Sequence, residues 1–166
     1  VEAFDLITCF LYSLHYSHPT TALVTTLQRA WQALKPGGVF IFNAVDARGV
    51  RNDKGITTCC KDGDAQLSFQ SGWSYCGTGE VLDLSLSISR KTAAGIEQWR
   101  DQHTMTAVTL PQLRGLLEDC GFEVSMLEHD YTVLSNWAGE SFNVIVAACK
   151  PLTCAQAAMS RDGAVS

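Results

Sequence analysis

Charged residues are scarce in this sequence of 166 residues: they make up 17%, and the twelve lysines and arginines are scattered rather than clustered. Binding of nucleic acid needs a basic patch or stripe, and adhesion to a membrane surface needs similar positive charge. No apolar run approaches the roughly 18 residues that a membrane-spanning helix requires, and no signal-peptide pattern opens the chain. We therefore expect neither a nucleic-acid partner nor a membrane.

The spacings typical of metal sites and disulfide frameworks are also lacking, although the sequence has seven cysteines. The number is odd, and no two cysteines are separated as CxxC. The HxxH pair His15 and His18 has no third ligand in view, and Cys59 and Cys60 are expected to lie in a loop. Hydrophobic residues make up 46%, which suffices for a core without cross-links. The sequence therefore predicts a reduced, cytoplasmic, single-domain protein that binds no metal.

The first 45 residues have the pattern of a βαβ unit. The apolar run 4–10 suits a buried parallel strand. Apolar residues then recur every three or four positions from Leu23 to Leu34, which predicts an amphipathic helix that residues 35–38 end. The run 39–42 predicts a second buried strand, and a helix between two such strands is typical of a parallel sheet.

The middle of the chain, residues 64–108, has the pattern of an antiparallel meander. It follows a polar, glycine-containing stretch, 46–64, which predicts a loop. Apolar and polar residues alternate over 82–89, as in a half-buried strand. Residues 67–75 and 96–105 fit the neighbouring strands, so we expect a small meander over one end of the parallel sheet.

Residues 109–150 predict one more helix and a pair of strands. Thr109 and Pro111 are typical of a helix start, and Gly121 is typical of its end. Strands are expected at 122–127 and 142–149. Residues 151–166 have no usable periodicity, which predicts a disordered tail.

Three segments carry a resemblance to a known family. Residues 4–7 (FDLI) with 12–16 (YSLHY), residues 34–42 (LKPGGVFIF) and residues 109–124, which end in CGFEV, occur in this order. They resemble the fourth strand, the turn into the fifth strand, and the last helix with the sixth strand of class I S-adenosylmethionine-dependent methyltransferases. The resemblance implies an α/β Rossmann-like sheet of which residues 1–150 form the C-terminal part, strands four to seven, with the antiparallel meander inserted after the fifth.

The meander is similar to that of small-molecule N-methyltransferases, such as the sugar and the glycine or sarcosine N-methyltransferases. This resemblance implies methyl transfer from S-adenosylmethionine to a small-molecule acceptor, with an amine as the favoured acceptor. No strict catalytic motif is needed, because the enzyme must chiefly hold the nucleophile near the methyl group and exclude water.

Two features of the family are missing from the sequence. They are the glycine-rich loop after the first strand and the acidic residue at the end of the second, both of which hold the cofactor. Residues 76–81 (CGTGEV) imitate such a loop, but neither a buried strand precedes them nor a helix follows, so they predict a hairpin turn. Because the chain also begins with Val1 rather than Met, we expect a chain cut upstream that binds the cofactor weakly or not at all.

Cofactor contacts are implied for residues that follow the fourth strand. By the resemblance, Cys9, Phe10 and Leu11 line the cofactor and Ser13 lies close by. Ligands of open α/β sheets bind in the crevice outside the carboxyl ends of the strands, which favours this interpretation. The alternative is that Cys9 and Phe10 are simply core residues.

Substrate contacts are expected at the same crevice. His15 and Tyr16 lie at its mouth, where His15 either acts on the substrate amine or stacks near the cofactor, or else makes a local hydrogen bond at a helix entry. Asn43 and Asp46 follow the fifth strand, where they either bind polar groups of the substrate or serve the turn, a common use of Asn and Asp.

His103 is the candidate catalytic residue. In a strand, residues two apart share a face, which places Trp99, Asp101, His103 and Met105 together. A neighbouring Asp can orient a histidine ring and raise its basicity, and residues 101–103 resemble the DxH stretch of sugar N-methyltransferases. Trp99 is then a substrate contact. The alternative is a surface histidine on a half-wet sheet.

Aromatic side chains of the predicted meander are candidates for the wall of a substrate pocket. Trp73, Tyr75 and Trp99 could serve this purpose, or they could form the core of the meander.

Two other functions compete with the enzyme. The first is a non-catalytic or self-associating fragment, which could form a homodimer through an exposed sheet edge at residues 4–10. The second is another doubly wound enzyme, such as a dehydrogenase, against which the LKPGG turn and the meander weigh.

Overall fold

The computed structural model describes residues 2–52, 55–130 and 132–153. Along the chain the elements are β1 (Phe4–Cys9), a first 3-10 turn (Ser13–Tyr16), α1 (Thr20–Ala33), β2 (Leu34–Val45), a second 3-10 turn (Ala47–Gly49), β3 (Gly55–Asp62), β4 (Ala65–Tyr75), β5 (Val81–Thr92), β6 (Gly95–Thr106), α2 (Leu110–Asp119), β7 (Glu123–Glu128) and β8 (Asn143–Cys149). The strands form two four-stranded sheets.

The first sheet has the strand order β1-β2-β8-β7. β1 and β2 are parallel, as expected of a βαβ unit, whereas β8 runs antiparallel to both β2 and β7. Cys9 lies beside Phe42, and Val45 lies opposite Asn143. The carboxyl ends of the two parallel strands therefore lie beside the start of β8.

Both helices pack their apolar stripes into the core of this sheet. The buried side chains are Leu23 and Leu27 of α1 and Leu113 and Leu117 of α2. Alternate residues of the two central strands face them, since Phe42 pairs with Val146 and both are fully buried. The helix positions follow from the three-and-four spacing in the sequence.

The second sheet is a meander of four antiparallel strands in the order β3-β4-β5-β6. The prediction of a loop over 46–64 was wrong in its second half, because Gly55–Asp62 form the outer strand β3. This strand is exposed on both faces, so it lacks the apolar alternation that marks a half-buried strand. Its pairing with β4 extends the meander to residues 55–106.

The segment from Lys35 to Gly38 was predicted to end the helix. α1 does end at Ala33, but Lys35, Pro36, Gly37 and Gly38 already belong to β2. They form an irregular start, since Phe4 pairs with Leu34 while Leu6 pairs with Val39. Gly37 has a φ of +82°, a conformation that favours glycine at this bulged position.

A small second core joins the meander to the first sheet. Its buried members are Val45, Ala47, Leu82, Met105 and Ala107. Val45 belongs to β2, whereas Leu82 and Met105 are cross-strand partners in β5 and β6. The inner face of the meander, which carries these two residues, therefore covers the carboxyl end of β2.

β1 lies at an edge of the first sheet. Within the described residues it pairs with β2 alone, and its Phe4 and Leu6 side chains are 54% and 55% exposed. The exposure contradicts the buried strand predicted for residues 4–10, and the position agrees with the sheet edge of the self-associating alternative. An unpaired strand edge is a template for pairing with another chain.

Three further predictions concern the C-terminal tail, the cysteines and membrane-spanning helices. Residues 154–166, most of the predicted tail, lie outside the described residues. The six cysteines in the described ranges are free. Neither α1 nor α2 is long and apolar enough to cross a membrane.

Two glycines near the end of α2 should respond oppositely to alanine. Gly121 has a φ of +98°, and an added Cβ would lie 3.1 Å from Trp31 Cη2. We expect Gly121→Ala to lower the free energy of unfolding by about 1–2 kcal/mol, the cost of a left-handed L-residue. Gly115 lies inside α2 with open space around its Cα, so Gly115→Ala should raise that free energy by about 0.5–1 kcal/mol. Urea unfolding of both variants checks the pair, and equal effects would contradict the described helix end.

Candidate functional site

A strained turn follows the carboxyl end of β1. Leu11 and Tyr12 have φ values of 55° and 61°, and Ser13 N–H donates to Phe10 O at 3.2 Å, as in a type I′ turn. Gly, Asn and Asp dominate these two positions, because each costs another residue about 1–3 kcal/mol. The buried side chain of Asn43 helps to hold the turn, since its Oδ1 accepts the Leu11 N–H at 3.1 Å. Such strain clusters at functional sites.

His15 joins this turn to both sheets. It is 2% exposed, its Nδ1 lies 2.9 Å from Thr106 O, and its Nε2 accepts the Val45 N–H at 3.1 Å. These partners require a neutral ring with the proton on Nδ1. Burial lowers the pKa of His15, although the bond to Thr106 opposes this effect. The placement favours the local hydrogen-bonding alternative over direct action on a substrate.

Tyr16 and His103, both predicted from the sequence as substrate-side residues, lie in contact. Tyr16 Oη is 3.0 Å from His103 Nδ1, and the two rings pack edge to face. His103 Nε2 lies 3.2 Å from Asp101 Oδ2, which is close enough for an ion pair. That contact lacks hydrogen-bond geometry, so within the described residues the buried Nε2 has no hydrogen-bond partner. The contact with Tyr16 is thus the hydrogen bond of this ring among the described residues.

His103 belongs to a row of side chains across the inner face of the meander. Trp73 of β4 pairs with Leu84 of β5, which pairs with His103 of β6. The turn after β1 lies against this row, because Tyr12 contacts Trp73 and Tyr16 contacts His103. Neighbouring strands are about 4.8 Å apart, so Trp73 and His103 are separated by about 10 Å.

The Tyr12 ring is held between aromatic neighbours. It packs edge to face with Trp73 at 5.6 Å and stacks with His129 at 6.1 Å between ring centroids. Its hydroxyl lies 3.4 Å from Asn143 Nδ2, at the start of β8. A cavity of about 530 Å³ adjoins this ring, and its lining includes Val45, Val50, Trp73 and Phe142. Pockets of this size are typical of small-molecule sites.

The four residues predicted to contact the cofactor lie at the end of β1 or just after it. Leu11 is 83% exposed and Phe10 is also exposed, so both present apolar surface at the carboxyl edge. Ser13 is exposed, and its hydroxyl donates to Phe10 O at 2.6 Å. Cys9 is half-buried against the core, and burial raises the pKa of its thiol. Cys9 thus fits the core alternative better than a ligand contact.

Asp46 and Trp99 have placements that favour other roles. Asp46 Oδ1 accepts the Arg48 N–H at 2.9 Å and its Oδ2 accepts the Leu110 N–H at 3.4 Å, so it serves a turn and a helix start. Trp99 shares a face with His103, as predicted, but it is 51% exposed and pairs with Ile88. It lies four residues along β6 from His103, about 13 Å away.

The glycine-containing segment between β4 and β5 forms a hairpin turn, as predicted. Tyr75 pairs with Leu82 on either side of it. Glu80 Oε2 accepts the Thr20 N–H at 2.9 Å, which lowers the pKa of this carboxyl and caps the start of α1. The segment therefore serves helix capping.

Sequence reasoning missed Tyr12 and Asn143 as site residues. Tyr12 occurs in the quoted YSLHY motif, but its left-handed backbone could not be predicted, because the sequence has neither Gly nor Asn at this turn. Asn143 reaches the site because β8 starts opposite Val45, a register that only strand pairing sets.

Solved structures resemble this fold at low sequence identity. An S-adenosylmethionine-bound amino pentose methyltransferase from Micromonospora echinaspora matches with a TM-score of 0.72 and 15% identity, over 90% of this chain and 59% of its own. A sugar N-methyltransferase from a Streptoalloteichus species matches with a TM-score of 0.70 and 14% identity, over 90% and 57%. An S-adenosylmethionine-dependent methyltransferase from Clostridium acetobutylicum matches with 0.68 and 16%, over 90% and 59%.

The chain has a methyltransferase fold. It spans less than two thirds of the length of these methyltransferase structures, at 57–59% of each. No protein-family model matches the sequence, and no curated protein matches it. In open α/β folds of this kind, ligands bind outside the carboxyl ends of the parallel strands, where Tyr12, Tyr16 and His103 lie.

Proposed function

We propose that this chain is the C-terminal part of an S-adenosylmethionine-dependent methyltransferase that acts on a small-molecule amine. The contact between Tyr16 and His103, at the carboxyl edge of a methyltransferase fold, carries this proposal. The partial coverage of the similar structures and the exposed edge of β1 support the C-terminal part, with β1, β2, β7 and β8 as strands four, five, six and seven.

The described residues fit one side of the cofactor. Phe10 and Leu11 offer exposed apolar surface at the carboxyl end of β1, which suits the apolar parts of S-adenosylmethionine. The glycine-rich loop and the ribose-binding acidic residue do not occur among the 166 residues. When bound, this cofactor supplies an electrophilic methyl group on a sulfonium. The residues present would thus contact it, while other residues would provide most of its affinity.

Tyr16 and His103 can remove the proton that a protonated amine must lose before it attacks. The exposed Tyr16 hydroxyl takes the proton at Oη while it passes its own proton to His103 Nδ1, 3.0 Å away. The Asp101 carboxylate, 3.2 Å from Nε2, then compensates the charge of the imidazolium. General bases of this kind contribute about 10²–10⁴-fold to a rate.

Titration with S-adenosylhomocysteine tests the cofactor assignment. We expect weak or no binding to the 166 residues and micromolar binding to a chain extended upstream through its coding sequence. Calorimetry of both chains measures this difference. Micromolar binding to the 166 residues would contradict the C-terminal-part proposal, and no binding to either chain would contradict the cofactor.

The extended chain also tests the amine relay. Release of S-adenosylhomocysteine is followed with a panel of small amines that includes amino sugars, glycine and sarcosine. His103→Gln should lower kcat/KM by about 10²-fold or more, with cofactor affinity unchanged. His18→Gln is the matched control, because the side chain of this histidine contacts Thr106 Oγ1 at 3.4 Å rather than the Tyr16 hydroxyl. Equal activity of the two variants would overturn the relay.

A self-associating, non-catalytic fragment is the second candidate. The exposed Phe4 and Leu6 on an edge strand favour it. Sedimentation velocity of the two calorimetry samples separates the alternatives. If both the 166-residue chain and the extended chain are dimers that bind no cofactor, the fragment is supported. If the extended chain is a monomer that binds the cofactor, the enzyme is supported.

A further inference from the structure

The cavity beside Tyr12 is distinct in chemistry from the polar contact at Tyr16. Its lining includes Val45, Val50 and Phe142, together with the Trp73 ring. Arg51 is the one charged residue among its described lining residues, and this side chain is exposed. The Tyr12 hydroxyl is already paired with Asn143 Nδ2 at 3.4 Å. An apolar, uncharged group therefore matches the cavity better than an ionic one.

The Tyr12 ring is fixed rather than adaptable. Trp73 and His129 pack against it from two directions, and its backbone keeps the left-handed conformation of the turn. The buried Asn43 holds that turn through the Leu11 N–H. Rings that are held in place lose little freedom on binding, which favours stacking against a flat or cyclic group.

The cavity and the relay are joined by one row of the meander. Trp73 borders the cavity and His103 receives the Tyr16 contact, with Leu84 between them. Two strand spacings separate the ends of this row by about 10 Å. A molecule whose amine meets Tyr16 can therefore reach the cavity only with a group some distance from its nitrogen.

We propose that the cavity is an acceptor subsite for a neutral apolar ring, carried about 10 Å from the amine that is methylated. This inference rests on the proposed function for the amine, but the ring site itself does not. It disfavours glycine and sarcosine as acceptors, because neither has a group that can fill the cavity. An amine attached to an apolar cyclic moiety is the favoured class.

The experiment uses 4-(4-fluorophenyl)butylamine as the probe, followed by fluorine NMR without cofactor. Val50→Trp fills the cavity and should weaken binding of the probe at least tenfold, a loss of about 1.4 kcal/mol of binding free energy. Val133→Trp adds the same side chain at an exposed position and should leave the affinity unchanged. Equal affinity of the two variants, or no binding to the unmodified chain, would overturn the subsite.

A second measurement keeps the test independent of the folding of Val50→Trp. The indole N–H signals of Trp73 and Trp99 are assigned by their phenylalanine variants. The probe should shift the Trp73 signal and leave Trp99 unmoved, since Trp99 is on the same face but outside the cavity lining. A shift of Trp99 alone would contradict the assignment.

Titration with S-adenosylhomocysteine separates this inference from the proposed function. Competition between the probe and S-adenosylhomocysteine in the extended chain would place the cavity in the cofactor site and overturn the acceptor subsite. Binding of the cofactor without any binding of the probe would agree with the proposed methyltransferase function but would overturn the subsite. Probe binding that Val50→Trp removes and that S-adenosylhomocysteine does not compete with supports the subsite.

Discussion

Replacing Lys150 by methionine should lower the free energy of unfolding by about 2–4 kcal/mol, because two carbonyl groups lose their charged hydrogen-bond donor. Lys150 is 7% exposed, and its Nζ donates to Trp31 O at 3.0 Å and Leu34 O at 2.9 Å. Trp31 belongs to the last turn of α1 and Leu34 directly follows the helix, where a helix leaves its own acceptors unpaired. Methionine keeps the packing but satisfies neither carbonyl.

Further contacts of the ammonium group add to this effect. Nζ lies 2.9 Å from Glu2 Oε1 and 4.7 Å from the centre of the Trp31 ring. A cation at a helix C-terminus also complements the helix dipole. Lys150 follows β8, so its side chain joins α1, β8 and the residues before β1.

Lys35→Met is the matched control. Lys35 pairs with Asp5 at 2.8 Å, but the two side chains are 46% and 82% exposed. Exposed pairs contribute about 0–1 kcal/mol, because water screens them. Urea unfolding of both variants measures the difference. A loss for Lys150→Met no larger than that for Lys35→Met would contradict the described burial.

The stability of the protein should fall as the pH drops below the ordinary pKa of histidine, 6.5, because of His15. Burial lowers the pKa of His15 in the folded protein, so the unfolded chain takes up a proton first. Stability is therefore complete above pH 6.5 and decreases below it until the folded pKa is reached. The slope has a limit of about 1.4 kcal/mol per pH unit for one proton.

The fall has a direct structural cause. A proton on Nε2 would remove the acceptor of the Val45 N–H, and the charged ring would lie among buried groups. Carboxyls whose hydrogen bonds lower their pKa, Glu80, Glu128 and Asp130, add a separate decrease only below pH 4.5. The window between pH 4.5 and 6.5 therefore reports on His15.

His15→Gln isolates this group. We expect the variant to lose about 2–4 kcal/mol at pH 7.5, from two buried hydrogen bonds that glutamine reproduces poorly, and to lose most of the slope. His18→Gln should keep the slope, since it changes the number of histidines without touching the Val45 N–H. Urea unfolding at half-unit pH steps checks both variants, and the same slope in His15→Gln as in the unmodified chain would contradict the account.

Some roles of the site residues could be predicted from the sequence and others could not. His103 and Tyr16 were predicted separately, one from a DxH stretch and one from a motif after a strand, and the fold brings them to 3.0 Å. His15 belongs to the same motif but points into the interior, where both of its nitrogens are used. Periodicity does not distinguish these two cases, because a 3-10 turn has three residues per turn and points neighbouring side chains in directions about 120° apart.

Elements whose residues face a core could be predicted from the order of the amino acids. The stripes of α1 and α2, the run of β8 and the alternation of β5 all follow from burial on one face or on both. β3 was not predicted, because neither of its faces is buried and its sequence therefore has no apolar alternation. Only the tertiary structure decided the strained turn, the Tyr12 ring and the partner of Asn143, because these depend on strand register and on contacts between residues more than thirty positions apart.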